Sequence, residues 1–155
     1  MVVELGNWYV VSQCDPRVVA LYRRHYSGRK VNHGAPIDYC RLGIAGPGQS
    51  LVMLTADARA VFGWVKNIRD DGQAGVNCFV FRNEGDTLSS SLIIEADTFA
   101  LNTWPDERRH FTFVDPVKTA RCRSNYSEPG ECFIQAGWRR CGETLKGLVI
   151  LEKQI

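Results

Sequence analysis

Hydrophobic positions along the first half of the chain predict a strand, a helix and then a hairpin. Residues 16–26 place Val18, Val19 and Tyr22 at helical spacing. Asp15 stands where an N-cap carboxylate accepts backbone N–H groups, so a helix is predicted over 16–26. The other elements predicted in this half are a strand at 7–13, a long loop at 27–50 with a candidate strand at 39–44, and hairpin strands at 51–55 and 59–68.

The second half alternates buried strands with helices. Val76–Phe81 is almost wholly apolar, which is typical of a central strand covered on both faces. A helix is predicted over Ser90–Thr103, with Leu92, Ala96 and Phe99 on one face, and Trp104 ends it. The remaining predicted elements are strands at 110–114, 138–144 and 147–153, and a short helix at 131–136. This order predicts an α/β arrangement with a mixed sheet.

Length and composition favour one globular domain over residues 1–155. Hydrophobic residues make up 45% of the chain and charged residues 23%, and the net charge of +2 gives no evidence of a nucleic-acid partner. No signal-peptide pattern and no apolar run of membrane-spanning length is present, so we expect a cytoplasmic protein with no membrane partner. The six cysteines form no CxxC pair, which argues against a structural zinc site, and Cys78 is expected to act as a small core residue.

The element order resembles that of the GNAT acyltransferases, and the end of the chain carries the closest likeness. Gly137-Trp138-Arg139-Arg140 follows a short helix and precedes the closing hairpin. The resemblance implies an α/β fold with a GNAT-like mixed, split central sheet flanked by helices. It also implies a transferase that binds acetyl-CoA or a related acyl-CoA, with the pantetheine arm in a gap between strands 76–82 and 110–114.

The stretch 82–91 corresponds to the loop that holds the CoA pyrophosphate in this family. Backbone N–H groups and the helix dipole at the following helix start favour an anion there. Only one glycine is present, and Glu84 and Asp86 would oppose a pyrophosphate unless they point away. A helix cap formed by serine without any ligand is the alternative. The residues that the resemblance assigns to the cofactor are Arg82, Asn83, Ser89, Ser90 and Ser91.

A narrower resemblance is to phage and prophage proteins of the Mom type, which modify the exocyclic amine of adenine in DNA. It is carried by short motifs, among them His25-Tyr26-Ser27 and Phe113-Val114-Asp115-Pro116. It implies DNA as a partner, the cytoplasm of a bacterial host as the location, and iron as an associated metal. The catalytic positions that it implies are His25, Tyr26, Asp115 and Tyr126.

Each of these residues also has a structural interpretation. His25 is either a general base or a helix-end histidine that interacts with the helix dipole. Tyr26 is either a proton donor or a core residue, and Asp115 is either a base or metal ligand, or the start of a turn. His110 is expected to be a strand residue with an exposed ring. The tryptophans Trp8, Trp64 and Trp104 are expected in the core or in a cleft wall.

Three functions remain open from the sequence. The first is a GNAT-like transferase that modifies an amine, with adenine in DNA preferred as acceptor. The second is a small-molecule or protein N-acetyltransferase that uses acetyl-CoA. The third is a non-catalytic binding protein on the same fold, for which the acidic residues in the 82–91 loop argue.

Overall fold

The computed structural model describes residues 6–26, 28, 31–32, 34–120 and 128–155. The helices are α1 (Pro16–Arg24), α2 (Tyr39–Leu42), α3 (Ser89–Thr103) and α4 (Glu131–Gln135). The strands are β1 (Trp8–Val11), β2 (Val31–Asn32), β3 (Ala35–Pro36), β4 (Gln49–Thr55), β5 (Ala60–Lys66), β6 (Val76–Asn83), β7 (Arg109–Val114), β8 (Arg139–Glu143) and β9 (Val149–Gln154).

Seven strands form one mixed sheet in the order β1-β4-β5-β6-β7-β9-β8, and β2 pairs with β3 separately. The β1–β4, β4–β5, β7–β9 and β8–β9 pairs are antiparallel, whereas β6 and β7 run parallel. Helices α1 to α4 complete the architecture. The mixed α/β fold predicted from the sequence is therefore confirmed.

The chain divides into two compact units. The first unit comprises Met1–Ile68 and Phe79–Thr87, and the second comprises Arg69–Cys78 and Leu88–Ile155. Strand β6 therefore contributes residues to both units.

The core of the first unit consists of α1 and α2 side chains together with residues of β4, β5 and β6. Phe62 and Trp64 are fully buried, with ring centroids 4.8 Å apart. A Cβ at Gly63 on β5 would lie 2.6 Å from the ring of Phe79 on β6, so glycine is the residue that fits at this position. The buried residues of the main apolar cluster are Val18, Val19, Leu21, Tyr22, Tyr39, Ile44, Val52, Leu54, Val61 and Val80.

The parallel pairing of β6 with β7 lies in the second unit. Its register runs over three residue pairs, from Val76↔His110 to Cys78↔Thr112. Strand β6 then continues to Asn83 and β7 to Val114. The resemblance implied a gap between strands 76–82 and 110–114, and the parallel register of the two strands ends at Cys78.

Helix α1 shows how local sequence sets element boundaries. The Oδ1 atom of Asp15 accepts a hydrogen bond of 2.9 Å from the backbone N–H of Arg17, and Pro16 occupies the first turn. The helix ends at Arg24, two residues before the predicted end. His25 has extended backbone angles there, and its N–H donates to the carbonyl of Tyr22.

Two predictions about elements and burial need correction. The candidate strand at 39–44 is helix α2, because packing places Tyr39 against Tyr22, with ring centroids 5.1 Å apart, and Gly43 ends the turn at a φ of 82°. On α3, the buried residues include Ile93 and Asp97, whereas Phe99 is only partly buried. The three tryptophans and Cys78 are buried, as predicted.

None of the helices in the described ranges combines the length and the hydropathy that a membrane crossing requires.

Candidate functional site

The end of α1 brings together three of the residues that the sequence singled out. His25 follows the last helical residue and is partly buried, and its ring lies 4.3 Å from the ring of Tyr26 at an interplanar angle of 31°. The Nη1 atom of Arg82 donates a 2.9 Å hydrogen bond to the carbonyl oxygen of Arg24, next to His25 in the chain. Tyr26 is 36% exposed, so the core role left open for it does not apply.

Burial and charge act on His25 in the same direction. Desolvation, followed by the positive charge of Arg82, lowers the pKa of His25 to about 4, although a hydrogen bond to the backbone of Phe81 opposes this shift. The imidazole is therefore neutral at physiological pH. A neutral imidazole that is still partly exposed can accept a proton, which is the first requirement of a general base.

Glu84 joins the two arginines at this site. Its carboxylate accepts hydrogen bonds of 2.8 and 2.9 Å from Nε and Nη2 of Arg24, and it also pairs with Nε of Arg82. The hydrogen bonds from Arg24 and then from Arg82 lower the pKa of Glu84 to about 2. The sequence raised the objection that Glu84 would repel an anion, but this charge is already compensated by two guanidinium groups.

The loop after β6 is held in shape by Asn83. Its Oδ1 accepts from the N–H of Gly85 at 2.9 Å, and its Nδ2 donates to the carbonyl of Thr87 at 2.7 Å. The N–H of Glu84 donates to the carbonyl of Arg59, and the Arg59 guanidinium lies 3.6 Å from the Asp86 carboxylate. Asn83, predicted to touch the cofactor, thus has a clear role in shaping the loop.

The N-terminus of α3 has no side-chain cap. Leu88 occupies the N-cap position, is exposed, and cannot accept a hydrogen bond through its side chain. The serine cap suggested by the sequence is therefore not formed, because Ser89, Ser90 and Ser91 are the first three residues of the helix. The first N–H groups of a helix lack intrahelical partners and favour an anion.

The predicted catalytic residue Asp115 belongs to the second unit. Its Oδ1 atom accepts from the N–H groups of Val117 and Lys118, both at 3.0 Å, which is the turn-starting role. Tyr126 lies outside the described residues, as do Ser27 and His33.

His110 corrects a prediction from the sequence. Its ring is fully buried rather than exposed, because β7 is covered on the side that His110 faces, where Nδ1 lies 2.8 Å from Oδ1 of Asp97 on α3. The other oxygen of Asp97 accepts from Trp138 Nε1 at 3.1 Å and from Lys153 Nζ at 3.2 Å. This buried network joins α3, β7, β9 and the residue that precedes β8.

An iron site does not fit the described residues. They contain no group of three or more His, Cys, Asp or Glu side chains placed to hold a metal ion. His25 has Arg82 as a charged neighbour, which disfavours a cation. The chemistry of this donor set therefore does not support the iron that the narrower resemblance implied.

The sequence did not predict which side chains contact the candidate site residues. Arg24 and Glu84 meet although 60 positions separate them, and nothing local in the sequence links them. Asp97 did carry a signal, because this charged residue stands four positions after Ile93 and three before Ala100, on the apolar face of α3. A charge in such a stripe indicates a buried partner.

Comparisons with known proteins agree on the fold. No protein-family model and no curated protein sequence matches the chain. The GNAT domain of S. lividans PAT matches with a TM-score of 0.62 and 16% identity, covering 96% of this chain and 89% of that one. The aminoglycoside acetyltransferase AAC(6')-Ib in complex with coenzyme A gives 0.60 and 11%, covering 96% and 94%. A variant of the spermidine N-acetyltransferase SpeG from Vibrio cholerae gives 0.61 and 9%, covering 95% and 92%.

The agreement extends over nearly the whole chain, but the low identity limits it to architecture. With its seven-stranded mixed sheet and flanking helices, the chain has the GNAT fold.

Proposed function

We propose that the protein is an N-acetyltransferase that uses acetyl-CoA to acetylate the amine of a small molecule. The observation that carries this proposal is a GNAT fold whose α3 N-terminus lacks a side-chain cap. Two similar structures are named as acetyltransferases of small amines, an aminoglycoside and spermidine. One of them contains coenzyme A.

The first N–H groups of α3 bind the pyrophosphate of the cofactor in this proposal. Ser89, Ser90 and Ser91 carry these N–H groups, and the hydroxyl of exposed Ser91 adds a donor, whereas Ser90 is buried. The residues present fit an anion because no carboxylate caps this helix start. Acetyl-CoA, when bound, supplies an activated acetyl thioester.

His25 accepts the proton that the acceptor amine loses. Its imidazole is neutral at physiological pH because burial and Arg82 lower its pKa to about 4. Tyr26 stacks beside it with an exposed ring and serves as the candidate donor to the departing thiolate. Asp115 and Tyr126 remain predictions carried over from the resemblance.

A small amine replaces DNA adenine as the preferred acceptor. The similar structures are a GNAT domain and acetyltransferases of small amines, and none of their names refers to DNA. The objection that favoured a non-catalytic binding protein is weaker, because Glu84 is compensated by Arg24 and Arg82.

Replacing the exposed cap residue of α3 tests the cofactor site. Leu88→Asp introduces a carboxylate that accepts from the same N–H groups, so we expect the free protein to gain about 1 kcal/mol of stability. The added charge competes with a pyrophosphate, and affinity for coenzyme A should fall at least about tenfold. Thermal unfolding, with and without coenzyme A, measures both effects.

The matched control is Leu88→Ser, which supplies a neutral cap. It should stabilise α3 to a similar degree and weaken coenzyme A binding much less. If Leu88→Asp stabilises the protein and leaves coenzyme A affinity unchanged, the cofactor does not bind at α3. If coenzyme A does not raise the melting temperature of the wild type at concentrations up to millimolar, the transferase proposal itself is wrong.

A further inference from the structure

The end of α1 carries a compact group of charged side chains that the proposed proton transfer does not fully explain. We define the α1-end cluster as Arg24, His25, Arg82 and Glu84, all of which belong to the first unit. Arg24 and Arg82 share the Glu84 carboxylate, and Arg82 also donates to the Arg24 carbonyl. These contacts fix the Arg82 guanidinium beside His25.

The cluster has one more positive charge than negative charge. Two guanidinium groups face one carboxylate, which stays ionised because its pKa is lowered to about 2, and His25 is neutral. The side chain of Arg82 is 33% exposed and that of Arg24 is 51% exposed, so a ligand can reach both. Nη2 of Arg82 makes no hydrogen bond to the part of the chain that the structure describes.

Most of the described carboxylates in the first unit already contact other groups of the protein. Asp15 pairs with Arg17, and Asp86 lies 3.6 Å from Arg59. Asp57 accepts from Thr55 Oγ1 and from the N–H of Arg59. A polyamine needs several carboxylates without a cationic partner, and among the described residues of this unit only Asp38 and Asp57 are not paired with an arginine.

We propose that the acceptor of this enzyme is an amine that also carries a carboxylate or phosphate, and that Arg82 binds this anionic group beside His25. This inference rests on the proposed N-acetyltransferase function. The unengaged Nη2 group of Arg82 offers N–H donors to a planar or tetrahedral oxyanion, a group that arginine binds through charge-assisted hydrogen bonds. A polycationic acceptor is disfavoured by the same two arginines, which gives specificity by repulsion.

A pair of amines that differ by one phosphate group tests the proposal. We would titrate wild-type protein, saturated with coenzyme A, with ethanolamine and with O-phosphoethanolamine, and follow binding by calorimetry. With acetyl-CoA in place of coenzyme A, thiol release gives kcat/KM for both amines and for spermidine. We expect O-phosphoethanolamine to be preferred over ethanolamine at least about tenfold in both assays, and spermidine to be the poorest substrate.

Two variants change the charge of the cluster in opposite directions. Arg82→Gln should reduce the preference for the phosphorylated amine to below about threefold. Glu84→Gln removes the negative charge and should raise that preference. Arg17→Gln, which changes an arginine paired with Asp15 at the other end of α1, is the control and should retain the wild-type preference.

The outcomes separate this inference from the function on which it rests. The inference is wrong if the two amines bind with equal affinity and react with equal kcat/KM, or if neither amine binds or reacts. It is also wrong if spermidine is acetylated faster than O-phosphoethanolamine. If Arg82→Gln weakens coenzyme A binding and leaves the amine preference unchanged, the arginine serves the cofactor and the inference is wrong. Coenzyme A binding to the wild type, measured before the amines are added, reports on the proposed function alone.

Discussion

The two described histidines show how the same side chain serves different purposes in the two units. His25, in the first unit, is partly exposed and has Arg82 as its charged neighbour. His110, in the second unit, is fully buried and has the carboxylate of Asp97 at 2.8 Å. A positive neighbour keeps a partly exposed imidazole in its neutral form, whereas a buried carboxylate holds an inaccessible ring in place. Accessibility and the sign of the neighbouring charge therefore distinguish the proposed site residue His25 from the core residue His110.

The balance of positive and negative residues also differs between the two units. The first unit contains nine Lys and Arg against six Asp and Glu, and the second contains ten against eleven. The positive excess lies in the unit that holds His25. This distribution is consistent with an anionic ligand for the first unit, because local charge rather than the net charge of the chain steers a ligand.

The largest effect on stability should come from removing Asp97. Asp97→Ala leaves the buried rings of Trp138 and His110 and the partly exposed ammonium group of Lys153 without their shared acceptor, and we expect a loss of about 3–5 kcal/mol in the free energy of unfolding. Urea denaturation measures this loss. The exposed Asp106→Ala is the matched control and should change stability by less than about 0.5 kcal/mol. A loss below about 1 kcal/mol for Asp97→Ala would show that the network is not a stabilising core element.

Replacing each of the two histidines with glutamine, in separate variants, should distinguish a catalytic role from a structural one. His25→Gln removes the proposed proton acceptor, so kcat should fall by about 10²–10⁴-fold, with KM for acetyl-CoA little changed. His110→Gln should instead lower stability by about 1–3 kcal/mol and leave kcat per folded molecule close to that of the wild type. Steady-state kinetics and urea denaturation of both variants make the comparison.

The opposite pattern would break this distinction. If His25→Gln retains full activity, His25 is a helix-end residue and the proton acceptor lies elsewhere. If His110→Gln loses activity without losing stability, the buried network takes part in catalysis rather than only in packing.

Much of this architecture could be predicted from apolar periodicity, and the charged contacts could not. Helix α3 and strand β6 were predicted within two residues of their bounds because a stripe or an unbroken apolar run is a local signal. Helix α2 was missed because four residues carry too little periodicity, and packing of Tyr39 on Tyr22 decides its conformation. The ring of His110 was misplaced because an alternating strand does not reveal which of its faces another element covers.

The candidate site also has a part that the sequence predicted and a part that it did not. His25, Tyr26 and Arg82 were chosen from short motifs, and the structure brings these three together at the end of α1. The compensation of Glu84 by Arg24 and Arg82 depends on a tertiary contact, so the sequence suggested repulsion where the structure shows an ion pair.

A further prediction concerns how stability depends on pH. The pKa of His25 is about 4 in the folded protein and near its ordinary value of about 6.5 in the unfolded chain. Between these values the unfolded chain binds more protons, so folded-state stability falls as the pH decreases from about 6.5 towards 4. We expect this contribution to reach about 1–3 kcal/mol in the wild type and to be absent from His25→Gln.

Urea denaturation of both proteins at half-unit steps from about pH 4.5 to 8 measures the difference. Glu84 does not interfere, because its lowered pKa of about 2 makes its contribution disappear only as the pH falls below about 4.5. His110 is present in both proteins and cancels in the comparison. Parallel pH profiles for wild type and His25→Gln would mean that burial and Arg82 do not hold the imidazole neutral. The contrast between the two histidines would then rest on accessibility alone.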